Sequence, residues 1–246
     1  ASADSSQPGL PWQARSIGGD GVFTGFGPIS GTLATGNGCS EYTYGNFYRS
    51  TVGAAGSFSP AAGPWSNDRP AWSSPFRVDI FHGTSASCQN LVFGAAHLYS
   101  SPDGANTWTT AGLYDVTKGT GSIISLDFAP SDPGSVVVGT DDGDVQVAVG
   151  VFTGANCTQA AANTASFSCT ANSLPTWYDT AGFNLVLPNR AIQGVTFDPP
   201  ANGRIYAAVG GLNENPTSTP GHVFQANWTG TSWNWVDKTG NLPDIP

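Results

Sequence analysis

Three stretches of the chain repeat one pattern of apolar and polar positions. The first runs Phe76-Arg-Val-Asp-Ile80, then Asn90-Leu-Val-Phe-Gly94, then His97-Leu-Tyr99. The second runs Ile123-Ile-Ser-Leu-Asp-Phe128, then Val136-Val-Val-Gly-Thr140, then Asp144-Val-Gln-Val147, with Ala129-Pro-Ser-Asp-Pro133 as its first turn. The third runs Ile192-Gln-Gly-Val-Thr-Phe197, then Arg204-Ile-Tyr-Ala-Ala-Val209, then His222-Val-Phe224, with Asp198-Pro-Pro200 at the turn. Short runs rich in Val, Ile, Phe and Tyr, bounded by Gly, Pro and Asp, predict strands joined by tight turns. A weaker copy ends at Gly45-Asn-Phe-Tyr-Arg-Ser50. Helix is scarce: Ala160 to Ala165 predicts a single turn at most.

The equivalent positions Phe47, Leu98 and Val145 recur at about 50 residues, the period of a four-stranded propeller blade. The interval from Val145 to Val223 is longer and predicts a blade with a disulfide-bearing insertion near residues 150–185. One four-stranded blade cannot bury both faces, so blades must stack. The prediction is all-β: a β-propeller of four-stranded antiparallel blades, about four to five of them, in a single domain over 1–246. Trp12 to Gly21 reads as mid-blade, and Asn241 to Pro246 stops where another first strand is expected. The expectation is therefore a piece of a larger ring, or a partner chain that completes it. A compact ring with merged blades is the alternative.

Composition agrees. Of 246 residues, 32 are Gly, 18 Pro and 8 Trp, and only 10% are charged, which disfavours a helical protein. The net charge of −9 makes nucleic acid an unsuitable partner, since phosphate binding needs clustered Lys and Arg. No run approaches the roughly 18 apolar residues of a membrane helix. Cys39, Cys88, Cys157 and Cys169 match no zinc or redox spacing. Four cysteines in an acidic, Ser-, Thr- and Gly-rich chain point to secretion, extracellular or periplasmic, with disulfides. Of the three pairings, Cys157 with Cys169 and Cys39 with Cys88 are favoured. Four buried thiols are the alternative.

The segment Ser101-Pro-Asp-Gly-Ala-Asn-Thr-Trp108 follows an apolar strand and predicts a tight hairpin. Asp103 can bond its own backbone, Gly104 tolerates a positive φ, and Trp108 can fold over the turn as a plug. Ser101, Asp103, Thr107 and Trp108 resemble the Asp-box, Ser-x-Asp-x-Gly-x-Thr-Trp, of sialidase-like β-propellers; Ala105 stands where that family has Gly. Looser versions end at Phe58 and Trp233, and none follows Val145. Over residues 17–246 the chain is similar to exported bacterial propellers of the BNR-repeat type. That group includes sialidases, xyloglucan-cleaving hydrolases, sortilin-type receptors and photosystem-assembly factors. The resemblance implies a structural role for the box, away from the active face, and does not choose among these activities.

A sialidase-like site needs three converging arginines, a Tyr activated by Glu, and an Asp acid/base. The chain has six Arg and lacks the family's Arg-Ile-Pro signature. Glu41 beside Tyr42 and Tyr44 reads as a strand residue facing solvent. Sialidase activity is therefore not expected. Two loop carboxylates are candidates for glycoside hydrolysis: Asp20 in Gly18-Gly-Asp-Gly21 and Asp68 in Asn67-Asp-Arg-Pro70. Trp65 and Trp72 flank Asp68 and are candidate sugar platforms, with Arg69 beside them. Turn chemistry alone also explains these residues. Thr140-Asp-Asp-Gly-Asp144 reads as a hairpin turn rather than a calcium loop. His97 and His222 hold equivalent repeat positions, which argues for structure rather than metal. No cofactor or metal is expected. The leading expectation is a non-catalytic exported module, a scaffold or recognition surface for a protein or glycan partner. The alternatives are an extracellular glycoside hydrolase and a subunit of a large extracellular or membrane-associated assembly.

Overall fold

A computed structural model describes residues 21–26, 38–50, 58–80, 90–110, 115–130, 132, 134–152, 157–159, 167–169, 175–180, 186–199, 201–211 and 221–243. These residues form four antiparallel four-stranded sheets. The first contains β1 (Phe23–Phe26), β2 (Gly38–Glu41), β3 (Phe47–Ser50) and β4 (Ser59–Pro60). The second contains β5 (Phe76–Val78), β6 (Leu91–Gly94), β7 (Leu98–Ser101) and β8 (Thr109–Thr110). The third contains β9 (Ile123–Phe128), β10 (Ser135–Thr140), β11 (Val145–Val149) and, after a small hairpin, β14 (Thr176–Asp179). The fourth contains β15 (Ile192–Asp198), β16 (Ala201–Val209), β17 (Val223–Trp228) and β18 (Trp233–Asp237).

The sheets stack through their faces, and the register of single strands shows why. In β10, Val136 and Val138 point into the core shared with the second sheet, while Val137 points into the core shared with the fourth. Alternate side chains leave opposite faces of a strand, so a sheet packed on both sides needs apolar residues throughout. All six residues of β10 are buried. In β18, where Trp233 and Trp235 are buried and Asn234 and Val236 exposed, burial alternates. Three cores thus separate four sheets: one around Phe47, Trp65, Phe76 and Phe93, one around Val92, Ile123 and Val136, and one around Val137, Ile192 and Phe224.

The first strands lie side by side: β5 contacts β1 and β9, and β9 contacts β15. That is the radial arrangement of a propeller, with successive inner strands around one axis. The repeat supplies its packing. Gly94 ends β6 where a Cβ would sit 2.6 Å from Ile123, and Gly139 occupies the equivalent place in β10, 2.5 Å from Ile192. The small residue lets the inner strand of the next sheet nest against it. Ser125 Oγ then donates to the Ile192 carbonyl at 2.7 Å, and Ile123 N–H to the Ala95 carbonyl at 2.8 Å.

The hairpin between β11 and β14 is β12 (Cys157–Gln159) with β13 (Phe167–Cys169). Its register sets Cys157 directly opposite Cys169. Mass spectrometry of a non-reducing digest is expected to recover these two cysteines in one linked peptide pair; two free thiols would refute the pairing. Cys39 is buried in β2, and Cys88 lies outside the described residues, as does Asp20. Among the described residues no helix is long and apolar enough to cross a membrane.

Candidate functional site

An up-and-down order gives each sheet two rims. The turns from third to fourth strand, including Ser101–Trp108, lie on one rim, here the hairpin rim. The turns from second to third strand, and the connections between sheets, lie on the other. That second rim carries Asp68, His97, Asp115, Lys118, Asp141, Asp142 and Arg190, and is here the carboxylate rim.

Asp68 is the hub of the β4–β5 connection. Its carboxylate is 3% exposed. Oδ2 accepts from His97 N–H at 3.0 Å and Tyr99 O–H at 3.0 Å, and lies 3.1 Å from His97 Nδ1. Burial works to raise the pKa of Asp68, but the bond and charge of His97, with backbone N–H groups of Arg69 and His97, outweigh it and hold the carboxyl below its usual range. Burial pushes His97 down, and Asp68 more than reverses this, so the imidazole is raised. The buried Tyr99 hydroxyl is raised by burial and by Asp68. Arg69 turns away to bond the Gly121 carbonyl, Asp115 Oδ2 at 2.6 Å and Thr117 Oγ1. Sequence reasoning treated Asp68 and Arg69 as ligand-facing candidates. In the structure Asp68 ties its connection to the second sheet, and Arg69 ties it to the β8–β9 connection.

Trp65 does not serve as a sugar platform. It is 2% exposed, stacks on Phe93 with centroids 3.9 Å apart, and donates from Nε1 to the Gly45 carbonyl at 2.7 Å. Its apolar ring and the large core between the first two sheets drew it inward. Trp72 is half exposed, at 52%.

Glu41 also departs from expectation. It is fully buried at the end of β2 rather than facing solvent. Oε1 accepts from Gly45 N–H at 3.2 Å, and Oε2 has no hydrogen-bond partner among the described residues. Burial raises its pKa to about 7, and the backbone of Gly45 and Ser74 pulls only partly back. The turn it braces, Tyr42–Asn46, puts Tyr44 at φ 55°, in the left-handed region. That costs a non-glycine residue roughly 1–2 kcal/mol. Gly45 follows at φ 73°, and a Cβ there would meet Trp65 Nε1 at 2.6 Å. The strained Tyr44 is 61% exposed, and its N–H donates to the Trp72 carbonyl at 3.0 Å. The backbones of two exposed aromatics are thereby joined at the carboxylate rim. Trp72 was legible in the sequence; Tyr44 had no signal beyond its residue type.

The other rim acids are largely occupied. Asp115 accepts from Thr117 and Arg69, Asp142 from Lys118 N–H, Gly121 N–H and Thr140 Oγ1, and Asp141 from Ser122 N–H. Asp115 is held low: the bonds from Thr117 and Arg69 overcome burial. Asp144 is buried and raised, chiefly by burial and also by the charge of Asp179. Asp144 Oδ1 and Oδ2 accept from Val145 N–H and Gln146 Nε2, each at 3.0 Å, so this acid too is tied into its own strand. Thr140–Asp144 closes a turn, with Asp144 N–H donating to Thr140 Oγ1 at 2.8 Å. Among the described residues no three His, Cys, Asp or Glu side chains gather as a metal site.

On the hairpin rim, Asp103 organises the turn. It accepts from Ser101 Oγ, Thr107 N–H, Thr107 Oγ1 and Asn106 N–H, at 2.6 to 3.1 Å. Gly104 and Ala105 follow at φ 73° and 64°. Trp108 lies against Phe47 and Trp65 and donates to the Ala61 carbonyl at 3.0 Å.

No protein-family model matches the chain, and no curated protein matches it. Solved structures do. A GH74 xyloglucanase from Xanthomonas campestris is 17% identical, covers 95% of this chain and 32% of its own length, and superposes with a TM-score of 0.55. A Niastella koreensis GH74 enzyme (16%; 94% of this chain, 32% of its own) and an ancestral GH74 enzyme (16%; 89% and 24%) give 0.48 and 0.46. The chain thus spans a third or less of each of these structures. At this identity, the xyloglucanase likeness identifies the β-propeller fold that the four radial sheets display.

Proposed function

We propose that the chain is the propeller part of an exported, carbohydrate-active protein of glycoside-hydrolase type, which lays a polysaccharide across its carboxylate rim. The observation that carries this reading is the pairing of Tyr44 and Trp72: exposed, joined by a backbone hydrogen bond, and held there at the expense of a left-handed tyrosine. Strain of that kind gathers at binding sites. Exposed aromatic rings suit the apolar faces of sugars. The carboxylates gathered on this rim, Asp68, Asp115, Asp141, Asp142 and Asp144, support hydrolysis, as does the likeness to a xyloglucanase. The Ser101–Trp108 hairpin is an Asp-box in this reading, on the rim away from the ligand, and its Asp103-centred bonds support that role.

A second reading is recognition without cleavage. It is favoured by the hydrogen bonds that tie Asp68, Asp115 and Asp142 into loops. Affinity electrophoresis and a reducing-sugar assay on xyloglucan and other plant and bacterial polysaccharides separate the two. Retention by at least one polymer is expected, weakened about tenfold or more in Trp72→Ala and Tyr44→Ala, a loss of about 1.4 kcal/mol. Release of reducing ends, abolished in Asp144→Asn or Asp20→Asn, establishes hydrolysis; retention without release establishes recognition. If no polymer is retained or cut, both readings fail.

A further inference from the structure

The seam between the third and fourth sheets opens at the hairpin rim into a cavity of about 250 Å3. Its wall is aromatic. Tyr178 and Trp228 meet edge to face with centroids 5.1 Å apart, and Trp228 and Trp233 lie 5.5 Å apart. Tyr178 and Trp228 are only half buried, so apolar ring surface faces the opening. Asp132 and Ser135 supply the polar edge. Asp132 accepts from Gly134 N–H and Ser135 Oγ, which leaves its carboxylate with acceptor positions to spare.

A missing bond adds to this. The indole N–H groups of Trp65, Trp108 and Trp235 each donate to a backbone carbonyl, at 3.0 Å or less. Trp233, 8% exposed and lining the cavity, has a buried Nε1–H with no partner among the described residues. An unpaired buried donor costs about 1–3 kcal/mol, and native structures rarely keep one without a use.

We propose that this cavity is a subsite for one pyranose ring, such as the terminal sugar of a glycan. The C–H face of the ring lies on Trp228 and Tyr178, hydroxyls donate to Asp132, and the Trp233 indole, whose Nε1–H is otherwise closed off from the cavity, turns to donate it to a hydroxyl oxygen. The volume is below the roughly 300–1,000 Å3 of sites for drug-sized ligands and suits a single ring. A purely apolar ring would leave both Asp132 and the indole donor unanswered. The site stands on the opposite rim from Tyr44 and Trp72 and does not rest on the reading given for them.

The test follows the 15N-labelled indole N–H signals of the whole chain, with Trp233 assigned through Trp233→Phe. Glucose, galactose, xylose, mannose and p-cresol are titrated separately. At least one sugar is expected to shift the Trp233 signal saturably in the millimolar range. The midpoint is expected to rise tenfold or more in Trp228→Ala and in Asp132→Ala and to stay unchanged in Trp72→Ala. If Trp228→Ala does not fold, the wild-type titration and Asp132→Ala decide. No sugar-induced shift, a shift by p-cresol alone, or a midpoint unmoved in Asp132→Ala overturns the proposal.

Discussion

Asp68→Ala is expected to lower the stability of the protein by about 3–5 kcal/mol, the usual cost of removing one partner from a buried charged network. One carboxylate oxygen serves two residues of the second sheet, His97 and Tyr99. Without it, the Tyr99 hydroxyl, on a side chain with no exposed surface, and the His97 backbone N–H lose their acceptor together. The loss depends on pH. His97 is raised above 6.5 by Asp68, so its contribution is complete below 6.5 and fades as pH rises through the native value. Asp68 is depressed below 3.8, so its contribution is present above that value and fades as pH falls through the native one. The variant should therefore cost most near pH 5 and less at pH 9. Urea denaturation at the two pH values measures this. A cost below 1 kcal/mol at pH 5 would show that the network is incidental.

The framework was legible because it is periodic. The runs Ile123–Phe128 and Val136–Thr140 carry apolar residues on both faces, and that pattern has few solutions other than a sheet covered on both sides. The Gly of Val138-Gly139-Thr140 and of Phe93-Gly94 repeats because each must admit an isoleucine of the next sheet. The candidate site was legible only in part, since its properties come from contacts across sheets. Trp65 and Trp72 are alike in sequence surroundings, seven residues apart, yet one is core and the other exposed. The difference is the aromatic cluster of Phe47, Phe93 and Trp108, assembled from two distant strands and a hairpin. Glu41 read as a solvent-facing strand residue because acids usually are. Its burial follows from the Gly45 turn folding back over it, a local geometry with no periodic trace. Asp68 was found as a loop carboxylate, but its partners sit about 30 residues away and only the fold brings them to it.

Glu41→Gln is expected to stabilise the protein at alkaline pH and not at acid pH. In the unfolded chain the group titrates near 4.5, and in the native protein near 7. Below 4.5 both states are protonated and the site costs no ionisation. Between the two values the native state holds a proton that the unfolded state has released, so stability falls as pH rises. Above 7 the native state carries a buried carboxylate with one oxygen unpartnered, and the accumulated loss is roughly 3 kcal/mol. Glutamine keeps an acceptor for Gly45 N–H and cannot ionise, but it buries an amide donor at a cost of about 1 kcal/mol. The variant should thus gain about 2 kcal/mol over wild type at pH 8.5 and lose about 1 at pH 4.5, with a crossing between. The turn that Glu41 braces also carries Tyr44, so charging Glu41 loosens the support of the exposed aromatic pair. Wild-type affinity for any retained polysaccharide is accordingly expected to fall between pH 6 and 8, and that of Glu41→Gln to stay flat across the interval. Parallel pH profiles of the two proteins, in stability and in binding alike, would show that Glu41 does not titrate in this range.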